Sequence, residues 1–370
     1  MSPRGGDRPV LVTGGSGFVG ANLAHRLLES GRSVIVFDNL SRPGVERNLQ
    51  WLRDTHGSSR LQVEIGDVRD AAAVAKVVRR AGQVFHFAAQ VAVTTSLGDP
   101  VEDFEINARG TLNVLEGVRA AARTGDAPAL VFTSTNKVYG NCEDVALVVR
   151  GRRYEPAGEE MRARGVSEQR PLQFHSPYGC SKGTADQYVL DYAHSFGLPA
   201  LVFRMSCIYG PHQFGTEDQG WVAHFLIRAL GCRPIMLYGD GMQVRDLLFV
   251  EDLVDAFLLA QQHMGALAGQ AFNIGGGPRN AASLLEIVDL IGDLHGERPD
   301  VDFGDWRTGD QRYYVSDTRR FTAATGWAPK TGVRDGVERL YEWLYNQAAR
   351  ARGGARVSVS TTAGIAEGAR

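Results

Sequence analysis

Tyr178 and Lys182 stand four residues apart in the run YGCSK. On a helix that spacing sets both side chains on one face. An ammonium beside a phenol favours the phenolate, so the tyrosine pKa is expected to fall from about 10. A tyrosine tuned in this way can take a proton from a hydroxyl while hydride leaves the same carbon. Tyr-x-x-x-Lys is frequent by chance, and Tyr188 and Tyr192 follow on the same predicted helix. The pair gains meaning from FTSTNKVYGN, residues 132–141, an apolar strand that ends in hydroxyls, an amide and an ammonium. At the carboxyl end of a parallel strand, side chains point into the crevice where ligands bind. Thr135 would share the reacting oxygen with Tyr178, and Asn136 and Lys137 would face the substrate.

A hydride needs an acceptor, and VTGGSGFVG provides for one. Gly14, Gly17 and Gly20 fall between a strand and a helix, with Phe18 and Val19 opening that helix. Glycine lets the turn tighten and the backbone approach a pyrophosphate, which then rests on unpaired N–H groups. Asp38 ends the next strand, where its carboxylate can accept from ribose hydroxyls and would repel a 2′-phosphate. NAD is therefore expected. Asn39 and Ser41 belong to the same edge, and Arg42 beside them leaves NADP open. Asp67 and Val68 in GDVRD could edge the adenine, Asp67 alternatively capping a helix.

These residues need a scaffold. PVLVTGG, SVIVFD, RLQVEIGD, QVFHFAA, PALVFTS and ALVFRMS read as buried strands. FVGANLAHRLLESG, AAAVAKVVRRAG, NARGTLNVLEGVRAAARTG and YGCSKGTADQYVLDYAHSFG read as helices between them. Continuous apolar strands alternating with helices predict an α/β fold, a Rossmann-type doubly wound parallel sheet with both faces covered. The expected boundaries are a flexible N-terminus at 1–8, an NAD-binding domain over 9–205 and a smaller C-terminal α/β substrate lobe over 206–346. A disordered tail is expected at 347–370. Some segments of the second lobe, AFNIGGG among them, cross back to the first. The polar stretch 141–174 interrupts the first domain as an insertion near the site, long enough to serve as a lid.

The composition fits a globular enzyme. A net charge of −2 over 370 residues argues against a broad nucleic-acid surface. No stretch approaches the roughly 20 apolar residues of a membrane span. The start, MSPRGGDRPV, lacks a signal-peptide core, so a cytoplasmic location is expected. Cys142, Cys180, Cys207 and Cys232 have no CxxC spacing, and no metal site is expected.

With these motifs in hand, the chain resembles the extended short-chain dehydrogenase/reductase superfamily, in its nucleotide-sugar epimerase and dehydratase branch. The resemblance runs from about Pro9 to Tyr345. It matches the glycine turn, HFAA with Ala88 and Ala89 behind the nicotinamide, Asn107 in NARGT, and the set Thr135, Tyr178 and Lys182. The resemblance implies NAD as cofactor, a nucleotide-diphosphate sugar as substrate, and a homodimer through helices of the first lobe. It implies that Arg245 and Arg307 grip the diphosphate, with Asp310 orienting Arg307. Thr94, Thr95 and Ser96 could bond sugar hydroxyls or cap a loop, and Ser176 has the same two roles open. Gln219 and Trp221 could reach the nucleotide. His175 and His212 are held as structural.

The 4,6-dehydratases of this branch carry Asp-Glu after the threonine. Here Asn136 and Lys137 stand there, so dehydration is not expected. STNKVYG, QVAVTTSLGDP, FHSPYGCSKG, FGTEDQGWV and GMQVRD most resemble the CDP-paratose 2-epimerases, which implies inversion at C2 through a transient keto-sugar. A UDP-sugar 4-epimerase is the neighbouring alternative. A non-catalytic NAD-sensing protein is the alternative of another class, and the presence of both Tyr178 and Lys182 argues against it.

Overall fold

The computed structural model describes residues 8–351 apart from residue 126. Its centre is a seven-stranded sheet, parallel throughout. The spatial order is Ala271–Ile274, Ala200–Met205, Ala129–Thr135, Gln83–His86, Val10–Thr13, Val34–Asp38 and Leu61–Ile65. Strands such as VLVT and VIVFD are buried at every position, as strands covered on both faces must be.

Two layers of helices provide the cover. Phe18–Glu29 buries Leu23, Ala24, Leu27 and Leu28, the stripe of an amphipathic helix, and packs with Val250–Gln262 on one face. Ala71–Val78, Gly110–Ala122 and Ser176–Phe196 cover the other. The helix Val45–His56 is an addition to the expected set. It buries Val45, Leu49 and Leu52, a short helical stripe within an otherwise polar run.

The smaller lobe is built around Val244–Phe249. That strand pairs with Cys207–Tyr209, Ala281–Ser283 and Tyr313–Tyr314. Helices Trp221–Leu230, Leu284–His295 and Val333–Ala351 enclose its own core. The strand Ala271–Ile274 returns to the main sheet, as AFNIGGG suggested. The last helix runs to Ala351, past the boundary expected at 346. The remainder of the expected tail, and residues 1–7, lie outside the described residues.

The 141–174 insertion has a structure that its polarity hid. A hairpin, Leu147–Arg150 with Arg153–Pro156, precedes the helix Glu159–Arg164. It is fastened to the smaller lobe: the Tyr154 amide donates to Met242 O at 3.0 Å, and the Arg153 guanidinium grips the Glu286 carboxylate. A segment pinned in this way is a wall of the second lobe and not a lid.

Candidate active site

The strand ends and the helix starts bring the expected residues to one edge of the sheet. Gly14 has φ +67°, and a Cβ there would lie 2.7 Å from the Ala88 amide nitrogen. At Gly20 a Cβ would lie 2.2 Å from Gly14 O. Only glycine allows this turn to fold so tightly against the strand end. The helix that follows begins with neither a side-chain cap nor an acidic residue in its first turn. Its first N–H groups are left for an anion, which fits a dinucleotide pyrophosphate.

That turn opens a cavity of about 610 Å³, lined by Gly14, Gly17, Phe18, Val19, Gly20, Asp38, Asn39, Ser41, Arg42, Asp67, Val68, Ala88, Ala89, Tyr178 and Lys182. Asp38 is held in place by the amides of Ser16 and Leu40, each at 2.9 Å. Burial raises its pKa, and those amide bonds oppose the shift. Asp67 does not cap the next helix; Asp70 does. The Asp67 carboxylate instead takes two bonds from the Arg69 guanidinium and one from Asn39, which hold its pKa far below the usual range.

Asn107 is an exception among the expected cofactor contacts. It is buried within a π-helical turn, Glu105–Arg109, and its amide is fully engaged. Oδ1 accepts from the Gln90 amide at 2.9 Å, and Nδ2 donates to Asp103 and Ser181. It braces the cavity wall from behind.

A second cavity, about 500 Å³, lies between the lobes. Thr94, Thr135, Asn136, Lys137, Tyr178, Gln219, Trp221, Arg245, Arg307 and Asp310 line it. Val91, Tyr178, Asp218 and Gln219 belong to both cavities, so Tyr178 stands where they meet.

The Tyr178 hydroxyl is hydrogen-bonded to Thr135. Burial pushes its pKa up to about 12, and the bond to Thr135 opposes that only in part. This corrects the expectation of a lowered pKa. Lys182 is not the cause it was expected to be, because its ammonium donates to the carbonyl oxygen of Thr133 at 2.6 Å and lies over the Phe132 ring. Burial draws the Lys182 pKa down to about 7, against the pull of Asp186 and Asp103. In the protein alone the phenol is protonated.

His86 closes the back of the site. Thr111 Oγ1 donates to Asn107 O, so it accepts from His86 Nε2 at 3.0 Å. His86 Nδ1 then accepts from Thr13 Oγ1 at 2.7 Å, while Thr13 Oγ1 receives the amides of Phe87 and Ala88. This chain of bonds requires a neutral ring, and burial lowers the His86 pKa to about 3.

Two expected sugar contacts are turned inward. Ser96 is fully buried; its hydroxyl donates to Val93 O and accepts the Tyr178 amide at 3.1 Å. Ser176 Oγ accepts the Gly179 amide within the first turn of the helix that carries Tyr178 and does not line the cavity. Asp310 orients Arg245, accepting from Nη2 at 2.6 Å, and not Arg307. Arg307 lies over the Tyr238 ring and bonds Glu217. His212 stacks on Trp51 at 3.6 Å, a packing role, and burial lowers its pKa to about 4.

Two contributors were not singled out from the sequence. Asp103, four residues before Asn107, accepts from Asn107 and from the Ser181 hydroxyl. Asp186, four residues after Lys182, is held by both nitrogens of a bidentate Arg204 at 2.9 Å. In each case the helical i, i+4 spacing was the available signal.

A seven-stranded sheet, a glycine cradle and a phenol between two cavities now stand together, and residues 10–275 match the model described as the NAD dependent epimerase/dehydratase family. The chain belongs to that family. It is similar to a CDP-paratose 2-epimerase of Salmonella typhi, 42% identical over 90% of this chain and 98% of that protein. Among solved structures, it is similar to a UDP-glucose 4-epimerase of Thermus thermophilus in complex with NAD. That match has 31% identity and a TM-score of 0.74, covering 90% of this chain and 98% of the other. A UDP-glucuronic acid 4-epimerase of Bacillus cereus, solved with UDP-glucuronic acid and NAD, has 26% identity and a TM-score of 0.77. It covers 91% of this chain and 98% of the other. This chain is an NAD-dependent enzyme of nucleotide-sugar isomerisation, and NAD is its cofactor. Among the described residues no helix is long and apolar enough to cross a membrane.

Proposed function

We propose that this enzyme inverts C2 of a CDP-linked 3,6-dideoxyhexose, converting CDP-paratose to CDP-tyvelose through a transient 2-keto-sugar. The observation that carries it is the place of Tyr178, which borders the cofactor cavity on one side and the substrate cavity on the other. The similarity to the Salmonella typhi enzyme supports the choice of substrate.

Paratose has no C3 hydroxyl, so C2 cannot be acidified by a ketone at C3, and direct oxidation at C2 remains. Bound NAD supplies a hydride acceptor that carries positive charge and can return the hydride. The work of this chain is at the other proton. With its own proton first lost to solvent, a loss that the positive charge of bound NAD would favour, Tyr178 Oη takes the C2 hydroxyl proton and later gives it back, with Thr135 holding the same oxygen. Lys182, fastened to Thr133 O, lines the cofactor cavity, where it would hold the nicotinamide ribose. Arg245 and Arg307 border the substrate cavity and would take the diphosphate bidentately. Asn136 and Lys137 are occupied in bonds to Gln311, Gly309 O and Asp310, which leaves no acid–base pair for loss of water.

The test is product analysis with CDP-paratose deuterated at C2. Deuterium retained at C2 of CDP-tyvelose is expected; solvent hydrogen at C2, or turnover of UDP-glucose alone, rejects the reading.

We also propose a homodimer. Leu97, Val101 and Phe104 are exposed apolar side chains on neighbouring short helices of the first lobe. Val101→Arg should give a monomer in size-exclusion chromatography; an unchanged elution volume removes this face from the interface.

A further inference from the structure

Arg42 follows the strand Val34–Asp38 on the cofactor side, and Gln219 precedes the helix Trp221–Leu230 on the substrate side. Arg42 Nη2 donates to Gln219 Oε1 at 2.8 Å, and both residues line the cofactor cavity. Burial lowers the pKa of the Arg42 guanidinium, and the Asp38 carboxylate opposes that shift.

Gln219 is presented on a path tied at both ends. The amides of Asn22 and Asn48 donate to the carbonyls of Pro211 and His212, at 3.0 and 3.1 Å. Asn48 also donates to the carbonyl of Ser16, inside the glycine turn, at 3.2 Å. Thr216 and Gln219 exchange backbone hydrogen bonds and close a tight turn. Arg307 holds the carbonyl of Glu217 within that turn at 3.0 Å. Gln219 therefore meets Arg42 with little freedom left to lose.

We infer that Arg42 and Gln219 act as one clasp that keeps NAD in its cavity between turnovers. A redox-neutral isomerisation regenerates its oxidised cofactor in every cycle, so the cofactor has no need to leave. A guanidinium-to-amide bond is charge-assisted, and its loss speeds a dissociation by about tenfold. The partner on the substrate lobe matters as much as the arginine itself.

The test measures release of NAD from the purified holoenzyme, chased with excess NADH and followed by the fluorescence of bound NADH. Gln219→Ala should release NAD about tenfold faster, and Arg42→Gln at least as fast. The double variant should be no faster than Arg42→Gln, because the two changes remove one bond. Gln219→Glu keeps the size of the side chain and turns the bond into an ion pair, so its release should be no faster than wild type. Unchanged release in Gln219→Ala, effects that multiply in the double variant, or release from Gln219→Glu as fast as from Arg42→Gln overturns the clasp. None of these outcomes depends on which sugar nucleotide is turned over, so a failed assay with CDP-paratose leaves the clasp intact.

Discussion

Lys182 donates from its ammonium to the carbonyl oxygen of Thr133 at 2.6 Å, two positions before Thr135 on the same strand. This lysine is thus anchored to the strand that carries the hydroxyl partner of Tyr178. Burial of this charge has a consequence for stability. The folded lysine has a pKa of about 7, against 10.5 for the ordinary group. Between those values the unfolded chain binds a proton that the folded chain has lost, so stability rises with pH. Relative to Lys182→Met, the wild type should gain stability from pH 7 to about 10.5, read as urea midpoints at three pH values. The variant's kcat should fall by about 10²-fold or more.

Tyr178→Phe removes the proposed proton acceptor and leaves the glycine cradle intact. The rate should fall by about 10²–10⁴-fold. NAD should remain bound, as measured by mass analysis of the cofactor released on denaturation. A variant that retains activity removes Tyr178 from the chemistry.

His86 gives the protein an acid limit. Its folded pKa is about 3 and its ordinary value 6.5, because a fully buried ring must stay neutral to accept from Thr13. The pKa is depressed, so the stability it confers is present above 6.5 and lost as pH falls towards 3. Over that window the loss is roughly 3–5 kcal/mol. His86→Gln should flatten the fall in urea midpoint between pH 7 and 4.5.

The main sheet was legible because a strand covered on both faces stays apolar until its carboxyl end, and VIVFD and PALVFTS show it. The glycine turn was legible because no other residue fits Gly20. Direction was harder. Ser96 and Ser176 are polar residues near a site, but a hydroxyl beside a helix start finds a backbone partner before it finds a ligand. The lowered pKa expected of Tyr178 failed because spacing shows proximity and not burial, and desolvation is the larger effect here. The helix Val45–His56 and the hairpin Leu147–Pro156 carry too few apolar residues to announce a period. What holds the hairpin is a partner far along the chain, Glu286, which no local pattern reveals.

Asp186 and Arg204 form an ion pair with almost no exposure, at 0% and 6% of side-chain surface. Arg204 Nη1 also donates to Tyr139 at 3.1 Å, and Tyr139 donates to Asn273 at 2.8 Å. Removing one partner leaves the other charge buried alone, which costs about 3–5 kcal/mol. Arg204→Met should lower the urea midpoint accordingly. Adding Asp186→Leu should recover part of the loss, since the orphaned carboxylate is then gone.

Asn136 and Lys137 stand where the dehydratases resembled in sequence carry Asp-Glu, and in this fold they have other work. Asn136 donates to Gln311 at 3.1 Å, Lys137 donates to Gly309 O at 3.0 Å, and Lys137 pairs with Asp310, which in turn holds Arg245. The end of the strand Ala129–Thr135 is thereby tied to a loop of the smaller lobe. Installing the acidic pair, Asn136→Asp with Lys137→Glu, would cut those ties and set a new carboxylate against Asp310. The double variant should therefore raise KM for CDP-paratose by about tenfold or more and form no 4-keto-6-deoxy product from CDP-glucose, which keeps the C6 hydroxyl that CDP-paratose lacks. Formation of that product, read by its absorbance in alkali, would mean that residue type alone decides the reaction and that the tie to Gly309 and Asp310 is incidental. Lys137→Met separates the two effects. It cuts the tie without adding a carboxylate, so KM should rise while kcat, which the proposed mechanism assigns to Tyr178, stays within a few-fold of wild type.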